Sequence, residues 1–424
     1  MVRLFYSAAV RIAAPIALAL TALRGVRDPS YRHRLGERFG YTHAAFERPP
    51  IWVHAVSVGE VQAAAVLIRA LRTRRPEDPL LITTATPTGA QRAAALFGAH
   101  ARHAYLPYDT PAAVRRFLSR TRPKIAIVME REIWPNLYRE CKRRRIPVVL
   151  ASARVSAASA ERHRRLSRLF APALAENVLV AAQTKADAER YRAIGADPAA
   201  VQVVGNVKFD LDPAEEVRKA GEALRAAQFP NRPVWVAGST HAGEEEVLLD
   251  AHRRIRSVLP DALLILAPRH PDRFTQVAVQ LTARGVCFVT RSSGAPVSTD
   301  AEVLLADTLG ELVMLYAAGD VAFVGGSLVP IGGHNLLEPA ALALPIVVGP
   351  HNFNAQDIAS MMLQTGAAQE ARSAQALAEA VVELFAKPER RQAMGAQGAR
   401  VIEANRGAVG RLIALIEERI ADGG

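Results

Sequence analysis

From residue 51 onward, short unbroken apolar runs alternate with longer, alanine-rich stretches. The runs fall at 51–56, 80–84, 124–129, 148–151, 178–181 and 201–204, and again at 234–237, 263–267, 286–289, 303–305, 321–324 and 346–348. A strand that is apolar at every position is buried on both faces, which is the mark of a parallel sheet covered by crossover helices. The intervening stretches predict those helices. The one over 61–74 ends in basic residues, where the helix dipole favours them. Between the two sets, 211–230 is charged and alanine-rich and carries Pro213 and Pro230, so it predicts a helical connector. The expectation is an α/β chain of two doubly wound, Rossmann-like domains facing a cleft. Residues 1–40 form an anchor and basic segment, 41–210 the N-terminal domain, 211–230 the connector and 231–424 the C-terminal domain. A last helix, at about 408–421, is expected to pack back on the body.

The amino-terminal pattern is different. Residues 4–23 are mostly apolar, but Arg11 and Pro15 interrupt them, and Arg3, Ser7 and Arg11 form one polar stripe. The uninterrupted run is short against the ~20 residues that a membrane span needs. No small-residue cleavage site follows it. Arg24, Arg27, Arg32, Arg34 and Arg38 come next, a density that attracts anionic lipid. The segment predicts an anchor lying in or shallowly entering the cytoplasmic face of a membrane. A single span and a soluble core helix are the alternatives.

Composition narrows the function. A length of 424 residues suits two domains, and the net charge of +12 asks for an acidic partner. Aromatic residues are only 6% and no lysine-rich tail is present, which argues against nucleic acid as that partner. The two cysteines, Cys141 and Cys287, offer no disulfide framework and suit a reducing compartment. The histidines have no zinc-type spacing. Asp210 and Asp212 lack a third ligand nearby, so no metal is expected. No nucleophile elbow is present, and the first strand does not lead into a three-glycine dinucleotide turn.

Doubly wound sheets bind ligands at the carboxyl ends of their strands. That rule selects Glu60, Glu130, Glu132 and Lys208 in the first half. In the second it selects Ser239 to His241, Arg269, His270 and the segment 307–311. The segment from Val324 to Pro339 is the richest in signal: an apolar run, the pairs Gly325-Gly326 and Gly332-Gly333, then Asn335 to Glu338 opening a helix. Strand, glycine loop and helix start predict a phosphate or nucleotide cradle, although Asn335 and Glu338 also have the spacing of a simple helix cap. Ser57 and Glu60 share that spacing. Glu60 therefore reads equally as a cap or as a base ionised at neutral pH. Glu130 and Glu132 read as solvated loop acids or as site acids, and Lys208 and Arg269 as surface cations or as phosphate ligands.

Five ordered segments carry a family resemblance: WVHAVSVGE (52–60), MEREIWPN (129–136), GNVKFD (205–210), APRHPDRF (267–274) and GGSLVPIGGHNLLEPAA (325–341). Together they resemble the 3-deoxy-D-manno-octulosonic acid (Kdo) transferases of lipopolysaccharide biosynthesis, over essentially the full length. The resemblance implies a GT-B fold and a location on the cytoplasmic face of the cell inner membrane. It implies CMP-Kdo as donor co-substrate, a tetraacylated lipid A precursor (lipid IVA) as acceptor, and transfer with inversion that needs no cofactor or metal. By motif it makes Glu60 the general base and assigns Glu130 and Lys208 to transition-state support. Pro268, Arg269, Leu309, Gly310, Glu311, Asn335, Leu336, Leu337 and Glu338 match the CMP-binding positions. Two rival readings are a GT-B glycosyltransferase using a UDP-sugar and a non-catalytic, membrane-surface binding protein.

Overall fold

A computed structural model of the chain describes residues 2–175 and 177–422. It contains two seven-stranded sheets, all parallel. In chain order the first sheet holds β1 (Ile51–His54), β2 (Leu80–Thr84), β3 (Arg102–Tyr105), β4 (Ile125–Met129), β5 (Val148–Ala153), β6 (Val178–Ala182) and β7 (Val201–Val203). The second holds β8 (Val234–Thr240), β9 (Leu263–Pro268), β10 (Phe288–Thr290), β11 (Val303–Leu305), β12 (Val321–Val324), β13 (Ile346–Val348) and β14 (Ala368–Glu370). The spatial orders are β3-β2-β1-β4-β5-β6-β7 and β10-β11-β9-β8-β12-β13-β14. The first order reverses between β1 and β4 and the second between β8 and β12, with β11 also inserted between β9 and β10; the central reversals open the crevice that binds ligands in doubly wound sheets.

The central strands are the apolar runs expected, and β1, β2, β4, β5, β6, β9 and β12 are buried at every position. Trp52 and Trp235, on β1 and β8, are fully buried in the cores of their sheets. The helices that cover them start on side-chain caps: Thr86, Thr110, Thr184 and Ser373 each accept a backbone N–H from the first turn. Two strands, β3 and β14, were not expected. Both are sheet edges and both lie partly open to solvent, so neither needs a continuous apolar run.

The chain divides into two compact units: Met1–Asp210 with Asn405–Gly424, and Leu211–Ala404. This corrects two expected boundaries. The terminal helix Ala408–Asp422 belongs to the first unit, not to a domain 231–424. Its Ala408, Leu412, Ile413 and Ile416 share a core with Val61, Ala64 and Ile68 of the helix Val58–Arg74. Both oxygens of Asp210 accept N–H bonds at its start, from Gly407 and Val409 at 2.5 Å each. The expected connector is likewise part of the second unit. Its helix Glu215–Gln228 packs so closely on the helix Leu312–Ala317 that a Cβ at Gly221 would lie 2.3 Å from the Met314 carbonyl oxygen.

The amino-terminal helix runs Val2–Arg27, straight through Pro15. Its polar stripe faces the first unit. The Tyr6 hydroxyl donates to Asp109 at 2.9 Å, and the buried Ser7 hydroxyl donates to Asn136 at 3.0 Å. Leu4, Phe5, Ile12, Ile16, Leu20, Leu23 and Val26 are left exposed on the same helix. By length and composition the helix is apolar enough to cross a membrane, with 11% of its most apolar stretch buried.

Candidate active site

In the first unit the acids at the topological reversal are Glu60, after β1, and Glu130, after β4. Ser57 is the N-cap of the helix Val58–Arg74, but its side chain makes no capping bond. Glu60 bends back past it and accepts the Val56 N–H at 2.6 Å. The cap reading is thus half right: Glu60 does hold a backbone donor, one residue earlier than a capping box would place it. The carboxyl is half-buried. Burial lifts its pKa to about 7, the Val56 N–H pulls it down, and the charges of Glu130 and Glu132 push it up. The expectation of a fully ionised acid is therefore corrected. At neutral pH Glu60 is poised between its two forms, which is where a proton acceptor works best.

Glu130 is not a solvated loop acid. It is buried, and its oxygens pair with Lys208 Nζ and Arg154 Nε at 2.9 Å each. Burial alone would raise its pKa, but Lys208 and Arg154 outweigh burial and hold it below the ordinary carboxylate value. Its backbone is left-handed, with φ of 57°, a conformation costing a non-glycine residue about 1–3 kcal/mol. Neighbouring backbone holds it there: Glu130 N donates to Ala151 O at 2.9 Å, and Arg154 N donates to Glu130 O at 3.2 Å. Lys208 sits on the turn Val207–Asp210, whose backbone is folded by the Asn206 side chain accepting the Lys208 N–H at 3.0 Å. Glu132 is half-buried with its pKa raised, first by burial.

In the second unit the carboxyl ends of β11, β9, β8 and β12 are adjacent. Pro268 closes β9 and is buried; Arg269 and His270 behind it are exposed. His241, after β8, stacks on His334 of the glycine segment with ring centroids 5.0 Å apart and Nε2 atoms 2.7 Å apart, and it meets His270 edge-on at 5.4 Å. Burial takes His334 down to about 4, helped by His241, Arg269 and His270, so it is neutral at physiological pH. Leu309 is 67% exposed, and Gly310, with φ of 86°, has open space where a side chain would be. Glu311 accepts from Thr308 and pairs with Arg291 at 3.0 Å. Asn335 accepts the Leu337 N–H and donates to Glu338 Oε1, each at 3.1 Å. Leu336 and Leu337 are fully buried, and the Leu337 N–H is spent on Asn335.

The glycine segment differs most from expectation. Its helix has shrunk to Leu337–Ala341, too short for a dipole to matter much, and the donors of both glycine pairs are already engaged. The N–H groups of Gly326, Ser327 and Leu328 donate to the carboxylate of Glu244 at 2.7, 2.9 and 2.8 Å. The His241 N–H adds a fourth bond at 3.0 Å. Those of Gly332 and Gly333 turn back to the Gly326 carbonyl. The glycines serve φ values of 68°, 111° and 73° at Gly326, Gly332 and Gly333. The segment is thus a rigid loop built around an internal anion, and the surface it presents is made by side chains. Glu244 is wholly buried and went unnoticed in the sequence, where Glu244 to Glu246 reads as an ordinary acidic first turn.

Residues 33–211 match the family model described as 3-deoxy-D-manno-octulosonic-acid transferase (kdotransferase). The chain is 40% identical to the 3-deoxy-D-manno-octulosonic acid transferase of Haemophilus influenzae, over 98% of both chains. It is 40% identical to that of Bordetella pertussis, over 90% of both. Among solved structures, UDP-GlcNAc 2-epimerase from Neisseria meningitidis superposes with a TM-score of 0.57 at 14% identity, over 88% of this chain and 100% of that one. That likeness is one of fold alone, and the fold is GT-B. Two sheets of the expected topology and identity sustained along nearly the whole length lead to one assignment: the chain belongs to the 3-deoxy-D-manno-octulosonic acid (Kdo) transferases, glycosyltransferases of lipopolysaccharide biosynthesis.

Proposed function

We propose that this chain transfers Kdo from CMP-Kdo to the tetraacylated lipid A precursor lipid IVA, by direct displacement with inversion, and that Glu60 is the general base. The observation that carries this reading is a carboxyl group with a pKa of about 7, hydrogen-bonded to Val56 N–H at the end of β1. The acceptor hydroxyl gives its proton to Glu60 as its oxygen bonds to the anomeric carbon. The bond from that carbon to the CMP phosphate breaks, and the phosphate oxygen leaves with the electron pair. The fixed Glu130–Lys208 pair supports the oxocarbenium-like transition state through preorganised charge. Arg269 meets the phosphate, Asn335 and Glu338 hold the ribose, and Pro268, Leu309, Gly310 and Glu311 shape the nucleotide site, with the buried Leu336 and Leu337 seating the segment that carries Asn335 and Glu338. The test is incubation of purified protein with CMP-Kdo and lipid IVA followed by mass spectrometry, which also counts the sugars added. Protection against heat by CMP with UDP inert separates this reading from a UDP-sugar enzyme.

Three results are expected from these assignments. Glu338→Ala weakens CMP binding by about 1–3 kcal/mol, the value of one or two ribose hydrogen bonds, with unfolding little changed; unaltered CMP affinity by calorimetry removes Glu338 from the ribose. Chelator leaves transfer intact when CMP-Kdo is supplied directly, since Lys208 and Arg269 provide the cations and Asp210 is spent on Gly407 and Val409. Activity lost to chelator and restored by one divalent ion overturns that view. Deleting residues 2–24 releases the protein from cytoplasmic inner-membrane lipid while CMP binding persists. The reading behind it is an in-plane anchor, supported by the docked polar stripe and the outward apolar side chains. A truncated protein that still sediments with membranes refutes it.

A further inference from the structure

Beneath the amino-terminal helix lies a cavity of about 250 Å³ bounded by Arg3 and Arg11 of that helix, Arg115, and Arg139 and Arg143. The one acid on its wall, Glu140, is already taken: its oxygens pair with Arg143 and Arg144 at 3.0 Å each. Among the described residues, Arg3, Arg11, Arg115 and Arg139 have no carboxylate partner. The concentration of charge is felt at Arg3, whose pKa is pushed below the ordinary guanidinium value by burial and by Arg139 and Arg143. A second cavity of about 450 Å³ adjoins it, shares Arg3, Arg139 and Arg143, and continues along Leu169 and Pro172. Unpaired guanidinium groups facing one space repel each other unless an anion fills it, and their planar forks match phosphate oxygens.

We infer that the arginine cavity binds the phosphodiester headgroup of an anionic bilayer phospholipid, and that this lipid clamps the amino-terminal helix onto the first domain. The inference deepens the membrane-anchor reading above and rests on it. Three features select a bilayer lipid. One wall is the helix whose outer side chains, Phe5, Ile12 and Ile16 among them, are exposed and apolar, so a neighbouring lipid is the nearest source of phosphate. The arginine-lined space falls below the ~300–1,000 Å³ of a drug-sized site, which suits one phosphodiester headgroup. The adjoining cavity sets Lys142 and Arg168 beside Leu169, Pro172 and Ala173, and cationic and apolar groups side by side match a headgroup with the start of its chains.

The test is flotation of the full chain with phosphatidylcholine vesicles, with and without a minority of phosphatidylglycerol. Arg115→Ala/Arg139→Ala is compared with Arg253→Ala/Arg254→Ala, which removes equal charge from exposed positions on a helix of the second domain. The wild type prefers phosphatidylglycerol. The pocket variant loses about 25-fold of that preference, at roughly fivefold for each arginine near an anionic surface, and the control loses little. Equal losses in the two variants, or a wild type that floats equally with both vesicles, overturn the pocket while leaving the anchor standing. A wild type that floats with neither overturns the anchor reading and the pocket with it. A raised acceptor KM for the pocket variant in phospholipid-free detergent, with lipid preference intact, assigns the cavity to the acceptor's phosphate and refutes the inference. Arg115 and Arg139 are exposed; a melting curve confirms folding, and Arg139→Gln alone serves if the double variant melts early.

Discussion

Glu60→Gln is expected to abolish nearly all transfer while leaving folding and CMP binding close to normal. Loss of a general base costs about 100- to 10,000-fold in rate, whereas loss of a helix-cap interaction costs about 1 kcal/mol of stability. The amide oxygen of glutamine can still accept the Val56 N–H that Glu60 holds, but it takes no proton at neutral pH. The wild-type pH profile supplies a second measurement. Because the base must be unprotonated, kcat/KM should fall about tenfold per pH unit below about 7 and level off above it. That limb should be missing from the residual activity of Glu60→Gln. Stability runs the other way. With its folded pKa raised from 4.5 to about 7, Glu60 contributes fully below about 4.5, and that contribution is lost as pH rises through 7. Above pH 7 the variant therefore escapes the cost of a half-buried carboxylate. If Glu60→Gln keeps most of its turnover, Glu60 is not the base. Glu130 would be a poor substitute, since Lys208 and Arg154 hold it ionised and occupied; Glu132, with its raised pKa, is the better candidate.

Glu244→Gln should be the most destabilising conservative change in the second unit. Each carboxylate oxygen accepts two backbone N–H groups: Ser327 and Leu328 on Oε1, Gly326 and His241 on Oε2. An amide replaces one oxygen with a donor. Two buried N–H groups then face N–H, at about 1–3 kcal/mol each. A loss of about 2–6 kcal/mol corresponds to a fall on the order of 10 °C in the transition of a unit this size. The loop that carries His334, Asn335 and Glu338 is built on this carboxylate, so CMP binding should weaken too, although Glu244 is wholly buried. A variant that melts within a degree or two of wild type, with normal CMP affinity, would show that the loop holds its shape without Glu244.

What the amino-acid order determined by itself is the scaffold and the addresses on it. Runs such as 125–129 and 321–324 are apolar throughout because both faces of their strands are covered, so two parallel sheets could be read directly. The rule of strand carboxyl ends then pointed to Glu60, Glu130, Lys208, Arg269 and the segment after β12 without any contact being known. The edge strands β3 and β14 escaped because they carry polar residues, Arg102 and His103 in one and Gln369 and Glu370 in the other, so no apolar run marks them. The state of each group was decided only by tertiary structure, because it depends on partners far away in sequence. Glu130 is ionised and fixed by a lysine 78 residues on, and the glycine loop is closed by an acid about 82 residues before it. The polar stripe of the first helix could be seen in the sequence, but its partner Asn136, 129 residues away, could not. A local pattern records how much of a side chain is covered; which distant charge or donor covers it, and hence its pKa and its availability to a ligand, is set when the chain folds.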